Sequence, residues 1–112
     1  VACVIAAVEW FELNQVGWPP ERVAVLARHF IDFGDRRVMA GVHYPSDNLS
    51  SWIVGLELAS RAAHPRVVGT VKRVIWTALQ GSLVYQRLVA AGAEKADSPY
   101  GPAWRILQSL AP

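Results

Sequence analysis

The sequence has 112 residues, of which 53% are hydrophobic and 10% aromatic, so the chain can bury a core and is not expected to be intrinsically disordered. Its formal charge of +2 comes from eleven Lys or Arg and nine Asp or Glu, and without a basic run this balance does not favour a nucleic-acid partner. Cys3 is the only cysteine, which excludes an internal disulfide and a cysteine-based metal cluster.

The first predicted element is an apolar helix over residues 1–13, VACVIAAVEWFEL. No capping residue precedes this helix, whereas helices usually follow Ser, Thr, Asp or Asn. We therefore expect residues 1–112 to be a single helical domain, or the C-terminal portion of one whose N-terminal part is missing. A second chain or the missing segment would then pack on residues 1–13. No run reaches the roughly 18 uncharged residues of a membrane-spanning helix, which favours a soluble or membrane-peripheral protein of undetermined compartment.

A second helix is predicted to begin at Pro19 and Pro20, because proline is well tolerated in a first turn. Its apolar residues recur at spacings of three and four and predict one buried stripe: Val23, Leu26, Ala27, Phe30 and Ile31. The FGD sequence at 33–35 is expected to fray or kink this helix, since glycine is a poor residue for a helix interior.

A third helix is predicted from Pro45–Asp47 to about residue 63, with Ile53, Leu56 and Ala59 or Ser60 facing inward. A fourth, long helix is predicted over residues 67–91 and would stop at Gly92. Its inward residues would be Val71, Ile75, Leu79, Leu83 and Leu88. Residues 97–110 predict a loop and a short terminal helix. No segment alternates long enough to predict a strand, so the expected fold is an all-α bundle of about five helices.

The segment RRVMAGVHYPSDN, residues 36–48, contains the residues best suited to chemistry. On one continuous helix Arg37 and His43 would lie about 240° apart and face nearly opposite ways. Gly41 permits a backbone turn that brings His43 back over Arg37. Pro45 forces the preceding residue out of the helical region, so Asp47 falls in the first turn of the next helix and can reach a ring nitrogen of His43.

These residue types together are typical of an oxyanion site. A carboxylate that holds one imidazole nitrogen leaves the other free to attack or to bind. The planar, charged fork of Arg37 suits phosphate oxygens, and free N–H groups at a helix start also attract anions. A metal site is not predicted, because His43 and Asp47 provide only two ligands and neither His29 nor His64 has a second ligand nearby.

Arg37, His43 and Asp47 match the pattern Arg-x5-His-x3-Asp, and the surrounding AGVHYPSDNLSSWIVG includes Gly41, Ser46 and Gly55. This stretch resembles the third signature motif of the superfamily of type 2 phosphatidic acid phosphatases and vanadium-dependent haloperoxidases. The resemblance implies an all-α bundle with the site among its helices. It also implies that His43 is a nucleophile that forms a phosphohistidine, or in the haloperoxidase branch binds vanadate. Asp47 would orient His43 and stabilise its charge, and Arg37 would bind the equatorial oxygens of phosphate or vanadate.

The chain departs from that family pattern in two respects. Arg36 stands where the family usually has serine, and the two earlier motifs, KxxxxxxRP and PSGH, do not occur in the 112 residues. In the family, these motifs complete the anion pocket and supply the histidine that protonates the leaving group. His29 and His64 are interpreted as surface or helix-end residues rather than substitutes for that acid.

The sequence therefore predicts a phosphatase-like hydrolase that acts on a phosphate ester in a small molecule or lipid, and that is incomplete as this chain alone. A phosphatase of this kind needs no cofactor. One alternative is a fragment of a haloperoxidase with a vanadate cofactor. The other is a non-catalytic helical interaction module, because YPSDN is also an ordinary helix-start signal.

Overall fold

Five α-helices follow one another in residues 20–112, which, together with residue 6, are the part of the chain that the computed structural model describes. They are α1 (Pro20–Met39), α2 (Pro45–Ala62), α3 (Val68–Gln80), α4 (Leu83–Ala90) and α5 (Gly101–Ser109). The all-α bundle predicted from periodicity is confirmed, and the predicted helix over residues 1–13 lies, apart from residue 6, outside the described residues. Among these five helices, none combines the length and the apolar character needed to cross a membrane.

The first of these helices, α1, runs without interruption through the FGD sequence, so the expected kink there is absent. Four residues of its predicted stripe meet the core, with Val23, Ala27 and Ile31 buried and Phe30 packed against them, whereas Leu26 is half-buried and lies outside that cluster. Gly34 lies where α1 meets α2, because a Cβ at this position would be 3.2 Å from the side-chain Nδ2 of Asn48. The glycine therefore permits a close approach of the two helices instead of bending one of them.

The predicted single helix over residues 67–91 is wrong, because the chain breaks at residues 81–82 into α3 and α4. Ser82 adopts an extended conformation, and its Oγ accepts a hydrogen bond from the Tyr85 N–H at 3.2 Å. Serine competes in this way for backbone donors and favours a helix start over a helix interior. The break shifts the helical phase, so Leu83, expected inside, is 51% exposed, and Val84 is fully buried.

A buried carboxylate ties α1 to this break. Asp35 is 2% exposed, and its Oδ1 accepts a hydrogen bond from Ser82 Oγ at 2.7 Å, while its Oδ2 accepts one from the Leu83 N–H at 2.8 Å. The negative charge also lies at the N-terminus of α4, where the peptide dipoles favour it. Asp35 thus satisfies groups that lie 47 and 48 residues away in the sequence.

The remaining core is aliphatic with an aromatic seam. Large side chains that are almost fully buried come from α2, α3, α4 and α5: Leu49, Leu56, Ile75, Leu79, Val84 and Leu107. Tyr85 of α4 contacts Trp52 of α2 and Trp104 of α5, with ring centroids 6.3 and 4.9 Å apart. Because Trp52 and Trp104 are both buried, they act as packing residues between helices.

Replacement of Asp35 by Ala should lower the free energy of unfolding by about 3 kcal/mol, because a buried hydroxyl and a partly buried backbone N–H lose a charged acceptor. The matched control is Asp32→Ala, one turn earlier, which removes an exposed ion pair with Arg36 at 3.3 Å. We expect that control to cost at most about 1 kcal/mol. Urea unfolding of both variants measures the difference, and equal losses would contradict a structural role for the Asp35 carboxylate.

Candidate functional site

A left-handed turn reverses the chain between α1 and α2. Gly41 has φ +77°, its N–H donates to the Val38 carbonyl at 3.0 Å, and the Val42 N–H donates to the Arg37 carbonyl at 3.1 Å. This pair of bonds is a Schellman motif, the common helix ending that places glycine in the left-handed region. Residues 42–44 consequently turn back alongside the last turn of α1, as the sequence predicts for Gly41.

The start of α2 holds His43 against Asp47. Tyr44 is extended, at φ −91° and ψ 156°, and Pro45 occupies the first helical turn. Asp47 Oδ2 accepts a hydrogen bond from the Tyr44 N–H at 2.8 Å and lies 3.2 Å from Nδ1 of His43. One carboxylate oxygen therefore caps the helix and fixes the imidazole, so that Nε2 is the ring nitrogen left for a ligand.

These contacts change the acidity of Asp47. The hydrogen bond from the Tyr44 N–H, followed by the one from His43, holds the pKa of Asp47 below its ordinary value of 3.8. Both contacts favour the charged carboxylate, which therefore persists to a lower pH than in an isolated side chain. The negative charge of Asp47 also makes this helix start less suitable for binding an anion. Two backbone positions are unavailable as donors as well, because Pro45 has no N–H and the Asp47 N–H already donates to the Tyr44 carbonyl at 3.0 Å.

Arg37, His43 and Asp47 all line one open pocket of about 340 Å³. One wall is α1, and the other is α2 with the turn before it. The further lining residues are Phe30, Ile31, Gly34, Asn48, Ser51 and Trp52. The three residues that the sequence predicted for an oxyanion site thus share one cavity, with apolar side chains beside them.

The two adjacent arginines at the end of α1 have different surroundings. Arg36 pairs with Asp32 at 3.3 Å and does not line the pocket. Arg37 lines the pocket, and within residues 20–112 its guanidinium has no carboxylate partner. Arg37 is therefore the cation at this pocket whose charge is available to an anion.

The other histidines lie away from the pocket. His29 packs edge-on against Phe33, with centroids 4.9 Å apart, and lines a second cavity on the other side of α1. His64 follows the end of α2, where its Nδ1 accepts a hydrogen bond from the Arg66 N–H at 3.2 Å. Among the residues that the structure describes, no group of three His, Cys, Asp or Glu could hold a metal ion.

Sequence reasoning missed Asn48, which lines the pocket directly after Asp47. It is 7% exposed, and its Nδ2 has no hydrogen-bond acceptor among the described residues. In the sequence, Asn48 is only the last letter of a helix-start signal. Its burial depends on Gly34 of the other wall, which local spacing does not show.

Comparisons with protein-family models, with curated proteins and with solved structures found no match to this chain. Any function assigned to this chain therefore rests on the geometry of the pocket and on the motif at residues 37–47.

Replacement of Gly41 by Ala should lower the free energy of unfolding by about 1–2 kcal/mol, because a Cβ is strained at positive φ. The space around this position is open, so no steric contact adds to the cost. The matched control is Gly69→Ala in α3, also in open space but with no positive φ. That control should stabilise the protein by about 0.5 kcal/mol. Urea unfolding measures the change in the free energy of unfolding for each variant. A loss of stability in both variants would contradict the assignment of the Gly41→Ala effect to its positive φ.

Carbon-13 NMR titration should give Asp47 a pKa below 3.8. In His43→Ala the pKa should rise but stay below 3.8, because the larger contribution comes from the Tyr44 N–H. A folded-state pKa below the unfolded value means that the stability from charged Asp47 is fully present above pH 3.8 and is lost as the pH falls through the folded pKa. Asp47→Asn should lack this part of the acid dependence. An Asp47 pKa at its ordinary value in His43→Ala would contradict the conclusion that the Tyr44 N–H lowers this pKa more than His43 does.

Proposed function

We propose that this chain carries the nucleophile side of a phosphatase-like active site, which cleaves a phosphate ester through a phosphohistidine. The observation that carries the proposal is the meeting of three groups at one pocket: a histidine whose Nδ1 is held by Asp47, and an arginine without a carboxylate partner in the described chain. The resemblance of residues 37–47 to the third phosphatase and haloperoxidase motif supports the same chemistry.

In the proposed reaction, Arg37 binds terminal oxygens of the ester and brings phosphorus to His43. Nε2 attacks phosphorus, the new N–P bond forms as the ester P–O bond breaks, and the leaving oxygen takes a proton. Water then attacks the phosphohistidine, which releases inorganic phosphate and restores the free imidazole. Asp47 keeps the ring oriented and stabilises its positive charge during both steps.

A proton donor for the leaving oxygen contributes about 10²- to 10⁴-fold to such reactions. Neither His29 nor His64 lines the pocket. We therefore assign this proton donor, and the further cationic groups that would bind the anion, to residues outside 20–112, on another segment or a second chain. The part described here should favour esters whose leaving group needs no proton.

The substrate is proposed to be a phosphate ester of a small molecule or lipid. Phe30, Ile31 and Trp52 give the pocket an apolar side next to its charged one. An ester with an apolar group beyond its phosphate matches both sides. Vanadate, which resembles phosphate in shape and charge, would be held by the same groups if the chain belonged to the haloperoxidase branch.

Titration of the 112-residue chain with inorganic phosphate and with orthovanadate tests the anion site. Arg37→Ala should weaken binding at least about tenfold, since hydrogen bonds from a charged donor are among the stronger polar contacts. The matched control is Arg36→Ala, the adjacent arginine that pairs with Asp32, which should change the affinity less than about threefold. Equal losses of affinity in the two variants would indicate a general effect of positive charge instead of a specific site at Arg37. No binding by the wild type would favour the non-catalytic module.

Turnover in the same preparations tests the nucleophile. With 2,4-dinitrophenyl phosphate, whose leaving group needs no proton, the wild type should release inorganic phosphate and His43→Ala should fall to the uncatalysed background. His64→Ala serves as the control and should keep the wild-type rate, because His64 does not line the pocket. Unchanged turnover in His43→Ala would reject the assignment of the nucleophile. Vanadate-dependent bromide oxidation without ester hydrolysis would place the chain in the haloperoxidase branch instead.

A further inference from the structure

Two phenylalanines lie one turn apart on α1 and have different surroundings. Phe33 is 52% exposed and does not line the pocket. Phe30 is half-buried, packs against the core and lines the pocket. The ring of Phe30 is thus held from behind by the core, and the part of it that stays accessible forms a wall of the cavity.

Phe30 and Arg37 are placed to contact the same ligand. They are seven residues apart, so they lie on the same face of α1, about 10 Å apart along its axis. Both line the pocket, and Ile31 and Trp52 add further apolar surface to its wall. An ester whose phosphate is bound at Arg37 therefore presents the group on its ester oxygen to this apolar wall.

The size of the pocket favours a compact, flat group over an acyl chain. Its volume of about 340 Å³ is near the lower end of the range for small-molecule sites, roughly 300–1,000 Å³. A phosphate with one ring suits such a space, whereas long acyl chains would extend past Phe30 into solvent. A flat ring can also stack on an aromatic side chain, which adds to the free energy gained from the buried apolar area.

We propose that Phe30 forms a subsite for the leaving group and makes the pocket selective for aryl phosphates over alkyl and lipid phosphates. The inference rests on the proposed function, in which Arg37 binds the phosphate and His43 attacks phosphorus. When the ester P–O bond breaks, an aryl group leaves as a phenolate. A phenol has a pKa of about 10, far below that of an alkyl alcohol, so its anion leaves with less need of a proton. This choice of substrate agrees with a pocket that has no proton donor from His29 or His64.

The test measures the affinity of the 112-residue chain for phosphonates, which resemble the esters but are not hydrolysed. Benzylphosphonate and cyclohexylmethylphosphonate carry an aromatic and a saturated ring of similar size, and methylphosphonate provides the anion alone. By NMR titration, the wild type should bind benzylphosphonate about two- to tenfold more tightly than cyclohexylmethylphosphonate, the gain expected of an aromatic pair. Equal affinities would overturn the inference, and so would tighter binding of octylphosphonate, which represents an acyl chain.

Phe30→Leu should abolish the preference for the aromatic ring and leave the affinity for methylphosphonate nearly unchanged. The matched control is Phe33→Leu, the neighbouring phenylalanine outside the pocket, which should keep the wild-type preference. A preference that survives in Phe30→Leu, or that is lost equally in both variants, would overturn the role of Phe30. If Phe30→Leu does not fold, intermolecular NOEs in the wild type decide: contacts between the benzyl ring and the Phe30 ring support the inference, and their absence overturns it.

The outcomes also distinguish this inference from the proposed function. Methylphosphonate binding that is lost in Arg37→Ala, together with no preference for the benzyl ring, would overturn the aryl subsite and leave the phosphatase proposal intact. A wild type that binds neither inorganic phosphate nor any of the phosphonates would overturn both.

Discussion

The buried carboxylate of Asp35 is the constraint on which the rest of the structure depends. By binding the start of α4, it fixes the rotation of α1 about its own axis. Phe30, Gly34 and Arg37 lie about 100° or more from Asp35 around that helix, so they are turned toward α2. A contact on one side of α1 thus sets which residues form the pocket on the other side.

The groups at the pocket are assembled by two kinds of interaction. Short-range bonds between residues 37 and 47 place the imidazole, since the turn at Gly41 and the helix start at Tyr44 involve only neighbouring peptides. The walls, in contrast, require α1 and α2 to pack closely where Gly34 meets Asn48. The arrangement of the imidazole and its carboxylate is therefore encoded locally, whereas the cavity beside them depends on the tertiary fold.

The same division explains what the sequence could predict. The helical periods, the turn at Gly41 and the proximity of His43 to Asp47 follow from local spacing, and the structure agrees with them. The break at Ser82 was missed although Gly81 and Ser82 are both poor residues for a helix interior, because the apolar pattern runs through them and the carboxylate that stabilises the break is 47 residues away. The error over Leu83 follows from that break. Asn48 was missed for a similar reason, since its burial is decided by a glycine on another helix. The difference between Arg36 and Arg37, however, could have been inferred from the i, i+4 spacing of Asp32 and Arg36.

The pocket is the gap between α1 and α2, which are joined at one end by the turn at residues 40–44. Arg37 and His43 lie near this turn, and Phe30 and Trp52 lie farther along the two helices. The charged side chains therefore lie at the closed end of this gap, and the apolar side chains lie toward its open end.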